Sequence, residues 1–150
     1  MITDKWHTGD GISISFEEII KILKESNCNE IHIGTDSQKH ADEYVFATAI
    51  CYLIPNNKGG NYFFRKYKTK CADDLFTRLF KEVSDSLEVC KELVLKNNTK
   101  ISIHIDANTK PVGKSYRYKN QLEGFVESMG YDCHLKPDSW ASWIADTHTK

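Results

Sequence analysis

The sequence has no apolar run near the roughly 18 residues a membrane-crossing helix requires, which argues against a helical span. Its first residues, Met1-Ile-Thr-Asp-Lys-Trp6, lack the basic-then-apolar pattern of a secretion signal, so export is not expected. There is no Cys-x-x-Cys pair. The five cysteines (Cys28, Cys51, Cys71, Cys90 and Cys133) are odd in number and widely scattered, which argues against a disulfide framework and a zinc knuckle. A reducing cytoplasm is the expected setting. Three of them fall within apolar patterns and read as small core residues. Neither sign of charge dominates: 20 Lys and Arg face 21 Asp and Glu, for a net charge of −1. That balance does not exclude nucleic-acid binding, because an acidic centre can offset basic surface elsewhere. Repeats, low-complexity tracts and domain-splitting linkers are also missing, so residues 1–150 are read as one domain, with 1–28 a helical extension packed on it.

What is present alternates between strand and helix signals. Ser15-Phe-Glu-Glu18 is a capping box flanked by Ile14 and Ile19 at staple positions, and it opens a helix running to Asn27. Residues 31–36, 44–54 and 61–70 read as strands, the last two as a hairpin joined by the turn residues Asn56-Asn-Lys-Gly-Gly60. Residues 72–95 carry apolar side chains at three- and four-residue steps, from Leu75 to Val94, and predict a long helix ended by Asn97-Asn98. A strand at 101–106, a basic aromatic loop, a helix closed by Gly130 and a strand at 131–136 follow. Pro137-Asp138 begins a last short helix, with Asp138 as its N-cap. Three meandering strands followed by right-handed crossovers imply a mixed five-stranded sheet with helices on both faces, an α/β fold.

Two strands share one pattern. Asp106 closes Ile101-Ser-Ile-His-Ile-Asp106, and Asp36 closes Ile31-His-Ile-Gly-Thr-Asp36, with isoleucines at matching offsets. Side chains alternate across a strand, so the isoleucines face one layer and the aspartates the other. As parallel neighbours in register, the two carboxylates would lie roughly 5 Å apart at the sheet edge where open α/β sheets bind ligands. Such a pair repels by about 1 kcal/mol in water-like surroundings and about 4 kcal/mol at an effective dielectric near 20. A proton or a cation relieves it, and carboxylate oxygens favour Mg²⁺ or Mn²⁺. On the long helix, Glu82 falls about 20° from the edge of the apolar face and is best placed to overhang the rim. Asp74 is the second choice; Asp73 and Asp74 are explained as charges at a helix N-terminus. Asp85, Glu88 and Glu92 point outward. On the last helix Trp140, Trp143 and Ile144 share one side, and Ser139, Ser142 and Asp146 another, so Asp146 is the fourth candidate. His32 and His104 are read as hydrogen-bonded interior residues.

Ile31–Gln38, Arg78–Glu82, His104-Ile-Asp106 and the ending Lys136-Pro-Asp-Ser-Trp … Ala145-Asp-Thr-His-Thr-Lys150 resemble the small bacterial RNase H-like proteins of the YkuK type, over roughly residues 12–150. The resemblance implies an RNase H-like sheet of order 3-2-1-4-5, with acids in four slots that match Asp36, Glu82, Asp106 and Asp146. The expectation is a nuclease using two Mg²⁺ or Mn²⁺ ions. Asp36 bridges both, Asp106 and Glu82 hold one, and Asp146 holds the other. His148 is a candidate proton shuttle on a loose terminus. Lys110, Lys114, Arg117 and Lys119, interleaved with aromatics, are candidate contacts to a nucleic-acid partner. Arg65, Lys66, Lys68 and Lys70 have a bland reading as guards of an exposed strand edge. A catalytically silent module binding nucleic acid or protein, and a hydrolase of small phosphoesters, are the alternatives.

Overall fold

The computed structural model describes residues 5–55, 59–70, 74–93, 99–111 and 113–150. Cys71, Asp73, Val94 and Asn97-Asn98 lie outside them. The chain begins with two short strands, β1 (Trp6–Thr8) and β2 (Ser13–Ile14), followed by α1 (Phe16–Glu25). The Ser15 hydroxyl oxygen accepts from the Glu18 amide at 3.1 Å and donates to the Glu18 carboxylate at 3.2 Å, so the carboxylate meets the cap's hydroxyl where the capping box expected its backbone amide. Strands β3 (Glu30–His40), β4 (Glu43–Leu53) and β5 (Gly60–Thr69) meander, and α2 (Leu75–Glu92) crosses back to β6 (Lys100–His104). A 3₁₀ turn at Lys114–Tyr118 leads into α3 (Lys119–Ser128), then β7 (Asp132–His134) and α4 (Trp140–Asp146).

The sheet order is β2-β1-β5-β4-β3-β6-β7. Its last five strands are the expected 3-2-1-4-5 arrangement, with β3 and β6 parallel at the centre. Two further strands precede α1: β1 pairs antiparallel with β5 and extends the sheet on that side. Trp6–Thr8 and Ser13–Ile14, before α1, are therefore sheet, not helix. Trp6 is fully buried there, its ring 5.3 Å from the Arg65 guanidinium. β1 covers the β5 edge at Phe63–Arg65, so of the four cations expected to guard that edge only Arg65 lies in the covered stretch.

Period-two alternation divides the sheet into layers. Ile31, Ile33, Ile103 and Ile105 are buried on one face, where Leu79, Val83 and Leu87 of α2 join the same core. Each such side chain contributes about 2 kcal/mol by leaving water. The opposite face carries α4. There Ala47, Ala49 and Cys51 of β4 pack against Ala141 and Ala145. A Cβ at Gly34 would lie 2.4 Å from the Ser142 nitrogen and 2.5 Å from the Ala141 carbonyl carbon, so α4 rests directly on the β3 backbone. Ser139 and Ser142 are fully buried in that contact, while Trp143 is exposed. The helix starts at Trp140 with Ser139 in the cap position, so Asp138 is not its N-cap.

Candidate active site

Strand β3 does not end at Asp36. It continues to His40 because its antiparallel partner β4 stays paired to Glu43, whereas the parallel pairing with β6 stops at Gly34↔His104. Asp36 and Asp106 each lie two residues past that last pair, and Ile105 keeps the alternation by pointing into the α2 core. Both carboxylates thus leave the sheet on the α4 face at its C-terminal rim. Asp36 is nearly buried, and its pKa is pushed up from 3.8 to about 8. Desolvation is the first cause and the Asp106 charge the second; a hydrogen bond with the Asp146 carboxyl and that group's charge add to it, against the lowering bond from the Ser37 amide.

Glu82 reaches the same rim from the α2 side. It is buried, so its pKa lies well above the ordinary 4.5, with desolvation the largest cause and Asp36 next. A short chain of donors holds its carboxylate. Arg78 Nε donates to Ser37 Oγ at 2.8 Å, Ser37 Oγ donates to Glu82 Oε2 at 2.5 Å, and Arg78 Nη2 donates to the Ser37 carbonyl at 3.1 Å. Two ammonium groups attend the other acids: Lys136 Nζ lies 3.1 Å from Asp106 and Lys150 Nζ 3.9 Å from Asp146. Four segments therefore bring four acids to one rim, and two of those acids are driven toward their neutral forms. Ser37, Arg78 and Lys136 were not picked out by sequence reasoning. Arg78 stands one helical turn before Glu82, a spacing that signals a shared face; Lys136 gave no signal.

The remaining candidates fall elsewhere. Asp74 is the exposed N-cap of α2, accepting from the Thr77 amide at 2.9 Å. Asp85, expected to point outward, is buried and accepts a short hydrogen bond from the Tyr67 hydroxyl. The chain end is not loose: Thr149 is fully buried, its hydroxyl donating to Gln38 Oε1 at 3.1 Å and its carbonyl accepting from His40 Nε2 at 2.7 Å. His148 accordingly stacks on Phe64 (centroids 3.6 Å apart) and meets the Tyr62 hydroxyl at 3.0 Å, on β5 and away from the carboxylates. Lys110, Lys114 and Arg117 are exposed in the loop after β6. Arg117 and Lys119 lie over the Tyr118 and Tyr116 rings.

His32, His104 and His134, beneath the aspartates on the same face, bring ring nitrogens within 4.8 Å of one another, a density that suggests a metal. Their hydrogen bonds argue otherwise. The Ala141 amide donates to His104 Nδ1 at 3.0 Å, so that nitrogen is the acceptor and Nε2 carries the proton. His104 Nε2 then donates to His32 Nδ1 at 2.9 Å, and His32 Nε2 donates to Glu30 Oε1 at 3.2 Å. A metal on His104 Nε2 would need the reverse, with that nitrogen unprotonated and Nδ1–H donating outward, whereas Nδ1 accepts from the Ala141 amide. Burial also holds both rings neutral, lowering His32 and pushing His104 down to about 3. His104 and His32 form a directed hydrogen-bond chain that ties α4 to β6, with the His134 ring stacked on His104 at 4.6 Å. The hard-oxygen cluster above them is the donor set that fits a divalent cation.

A family model described as Ribonuclease H-like matches residues 15–150. Among curated proteins none is similar enough to match. The N-terminal RNase H domain of Rv2228c from Mycobacterium tuberculosis, solved as a fusion with maltose-binding protein, is similar over 80% of this chain and 93% of that one, at 10% identity and a TM-score of 0.40. A likeness that remote carries no weight alone. The family match spans nearly the whole chain, and by it the chain belongs to the ribonuclease H-like family.

Proposed function

We propose that the protein is a divalent-metal-dependent nuclease of the YkuK type that hydrolyses nucleic-acid phosphodiester bonds with two Mg²⁺ or Mn²⁺ ions. One observation carries this reading: Asp36, Glu82, Asp106 and Asp146 meet at one rim, where burial first and the neighbouring carboxylates second push Asp36 up to about 8 and raise Glu82. Carboxylates that are both desolvated and set against one another are stabilised by a doubly charged ion, and oxygen donors select Mg²⁺ or Mn²⁺ over zinc. Asp36 would hold both ions, with Asp106 and Glu82 on one and Asp146 on the other. Bound there, the ions would supply a more acidic water as nucleophile and neutralise charge on the leaving oxygen.

The chain's own groups do the positioning. Arg78 and Ser37 fix the Glu82 carboxylate, and Lys136 balances Asp106. Lys110, Lys114, Arg117 and Lys119 are the proposed substrate contacts beside the rim. His148 is left out of the catalytic set because Tyr62 and Phe64 engage its ring. No described helix is long and apolar enough to cross a membrane, and free Cys28, Cys51, Cys90 and Cys133 fit the proposed reducing cytoplasm.

The test is cleavage of labelled RNA, DNA, hybrid and branched substrates by the purified protein with Mg²⁺ or Mn²⁺, beside Asp36→Asn. The expected result is metal-dependent cleavage that Asp36→Asn lowers by more than the roughly 10–100-fold typical of indirect supports. Binding without cleavage, indifferent to the metal, would identify a binding module instead. Turnover of small phosphoesters alone would identify a different hydrolase.

A further inference from the structure

Beside the carboxylate rim, past the C-terminal end of α4, lies a basic groove built in part from Lys66 and Lys68 of β5. Across the sheet, Asp36 pairs with Ala47 and Ala47 with Lys66, while Gln38 pairs with Val45 and Val45 with Lys68. Residues opposite one another in a sheet project to the same face. Lys66 and Lys68 therefore stand on the face that carries Asp36, two strands away, or about 10 Å. Ala47 itself lies under Ala141 and Ala145 of α4, and beyond the helix end the floor of the groove is Val45. His40, Val45, Lys66, Lys68 and Lys150 line a cleft of about 510 Å³ there. Lys150 ties the cleft to the acids, since its ammonium approaches Asp146.

The chemistry of the groove is specific in kind. Lys66 and Lys68 are exposed, and neither has a carboxylate partner among the described residues. Two residues along a strand span about 6.8 Å, a step comparable to that between successive phosphates on one strand. Stacking surface is not offered here, because the Tyr67 ring lies against Phe46 at 5.6 Å. Compact ammonium groups without a base-stacking platform suit phosphates, not bases.

We infer that Lys66 and Lys68, with Lys150 at the mouth, form a track for the sugar–phosphate backbone of the nucleic-acid strand on one side of the bond to be cut. The inference rests on the nuclease reading and deepens it: the strand crosses the rim, with Lys114 and Arg117 on the far side and this track on the near one. Recognition along the track is independent of base sequence.

The test measures binding of a fluorescent single-stranded oligonucleotide by anisotropy in Ca²⁺, across a salt series, for the wild type and Lys66→Ala/Lys68→Ala. Each phosphate contact on a single strand contributes about 0.7 to the slope of log affinity against log salt. Losing two should flatten that slope by about 1.4, equally for oligonucleotides of different sequence, while Lys66→Arg/Lys68→Arg keeps it. An unchanged slope in the alanine variant overturns the track, even if the wild type cleaves. A flattened slope in a protein that cuts no substrate supports the track and overturns only the nuclease reading. A wild type that binds no oligonucleotide overturns both.

Discussion

Replacing Asp36 by Asn should stabilise the metal-free protein, and by an amount that grows with pH. The folded chain raises the Asp36 pKa from 3.8 to about 8, so the native state binds this proton more tightly than the unfolded chain does. Stability from that proton is fully present below about pH 4 and is lost as pH rises through about 8, by up to 1.36 kcal/mol per pH unit. Across those roughly four units the loss is at most about 6 kcal/mol, shared with the neighbouring acids whose charges cause part of it. Asparagine carries no charge, and its carbonyl oxygen can still accept from the Ser37 amide, which donates to Asp36 Oδ1 at 2.9 Å. Urea denaturation in EDTA at pH 5, 7 and 8.5 reads the effect. The expected outcome is a wild-type curve that falls with pH relative to the variant, the gap opening by well over 1 kcal/mol between pH 5 and 8.5. In Mg²⁺ at a hundred times its Kd, the wild type should recover about 2.7 kcal/mol that the variant does not. Curves parallel to within 1 kcal/mol, or equal stabilisation of both proteins by Mg²⁺, would refute the picture of a proton held in place of a cation.

Gly34→Ala should destabilise by about 2–4 kcal/mol in thermal or chemical denaturation, because its Cβ meets α4 backbone at 2.4–2.5 Å and the helix must lift. His104→Leu should cost about 1–3 kcal/mol by leaving the buried Ala141 amide without an acceptor, and His104→Asn, which offers an oxygen, should restore part of it. Ser37→Ala breaks the Arg78–Ser37–Glu82 chain; it should weaken Mn²⁺ binding measured calorimetrically by about tenfold and leave oligonucleotide affinity in EDTA unchanged.

The succession of five strands and their helices was legible because each announces itself locally, by period two in 31–36 and 101–106 and period 3.6 from Leu75 onward, whereas the 3-2-1-4-5 order came from the family resemblance. The shared face of Asp36 and Asp106 follows from the same alternation. Strands β1 and β2 were not legible. Three and two residues are too few to show a period; what makes β1 a strand is non-local pairing with β5, and β2 is a strand only because it pairs with β1. Asp85 was misread for a related reason. A helical wheel identifies the buried arc by its apolar residues, but α2 also meets β5, where the Tyr67 hydroxyl gives a carboxylate a partner. The anchored chain end depends on a hydrogen bond from Thr149 to Gln38 and one from His40 to Thr149, across more than a hundred residues, which no local pattern encodes.

One sheet face therefore carries two clusters of ionisable groups, and the order in which they stack decides what each can do. His104 and His32 lie deep, where each proton position is dictated by a neighbour: a backbone amide of α4 fixes His104, which fixes His32. That determinacy suits anchoring, because a ring with both nitrogens committed cannot titrate or bind an ion without losing a bond. The carboxylates lie at the rim, with more oxygens than donors, so their charge is unresolved until something from solution supplies it. Helix α4 joins the two. Its N-terminal amide is held by the histidine chain, its middle rests on Gly34, and its last residue, Asp146, shares a hydrogen bond with Asp36. A rigid anchor at one end and a charge-hungry group at the other is the arrangement that lets a seven-residue helix hold a carboxylate within the tolerance an ion requires.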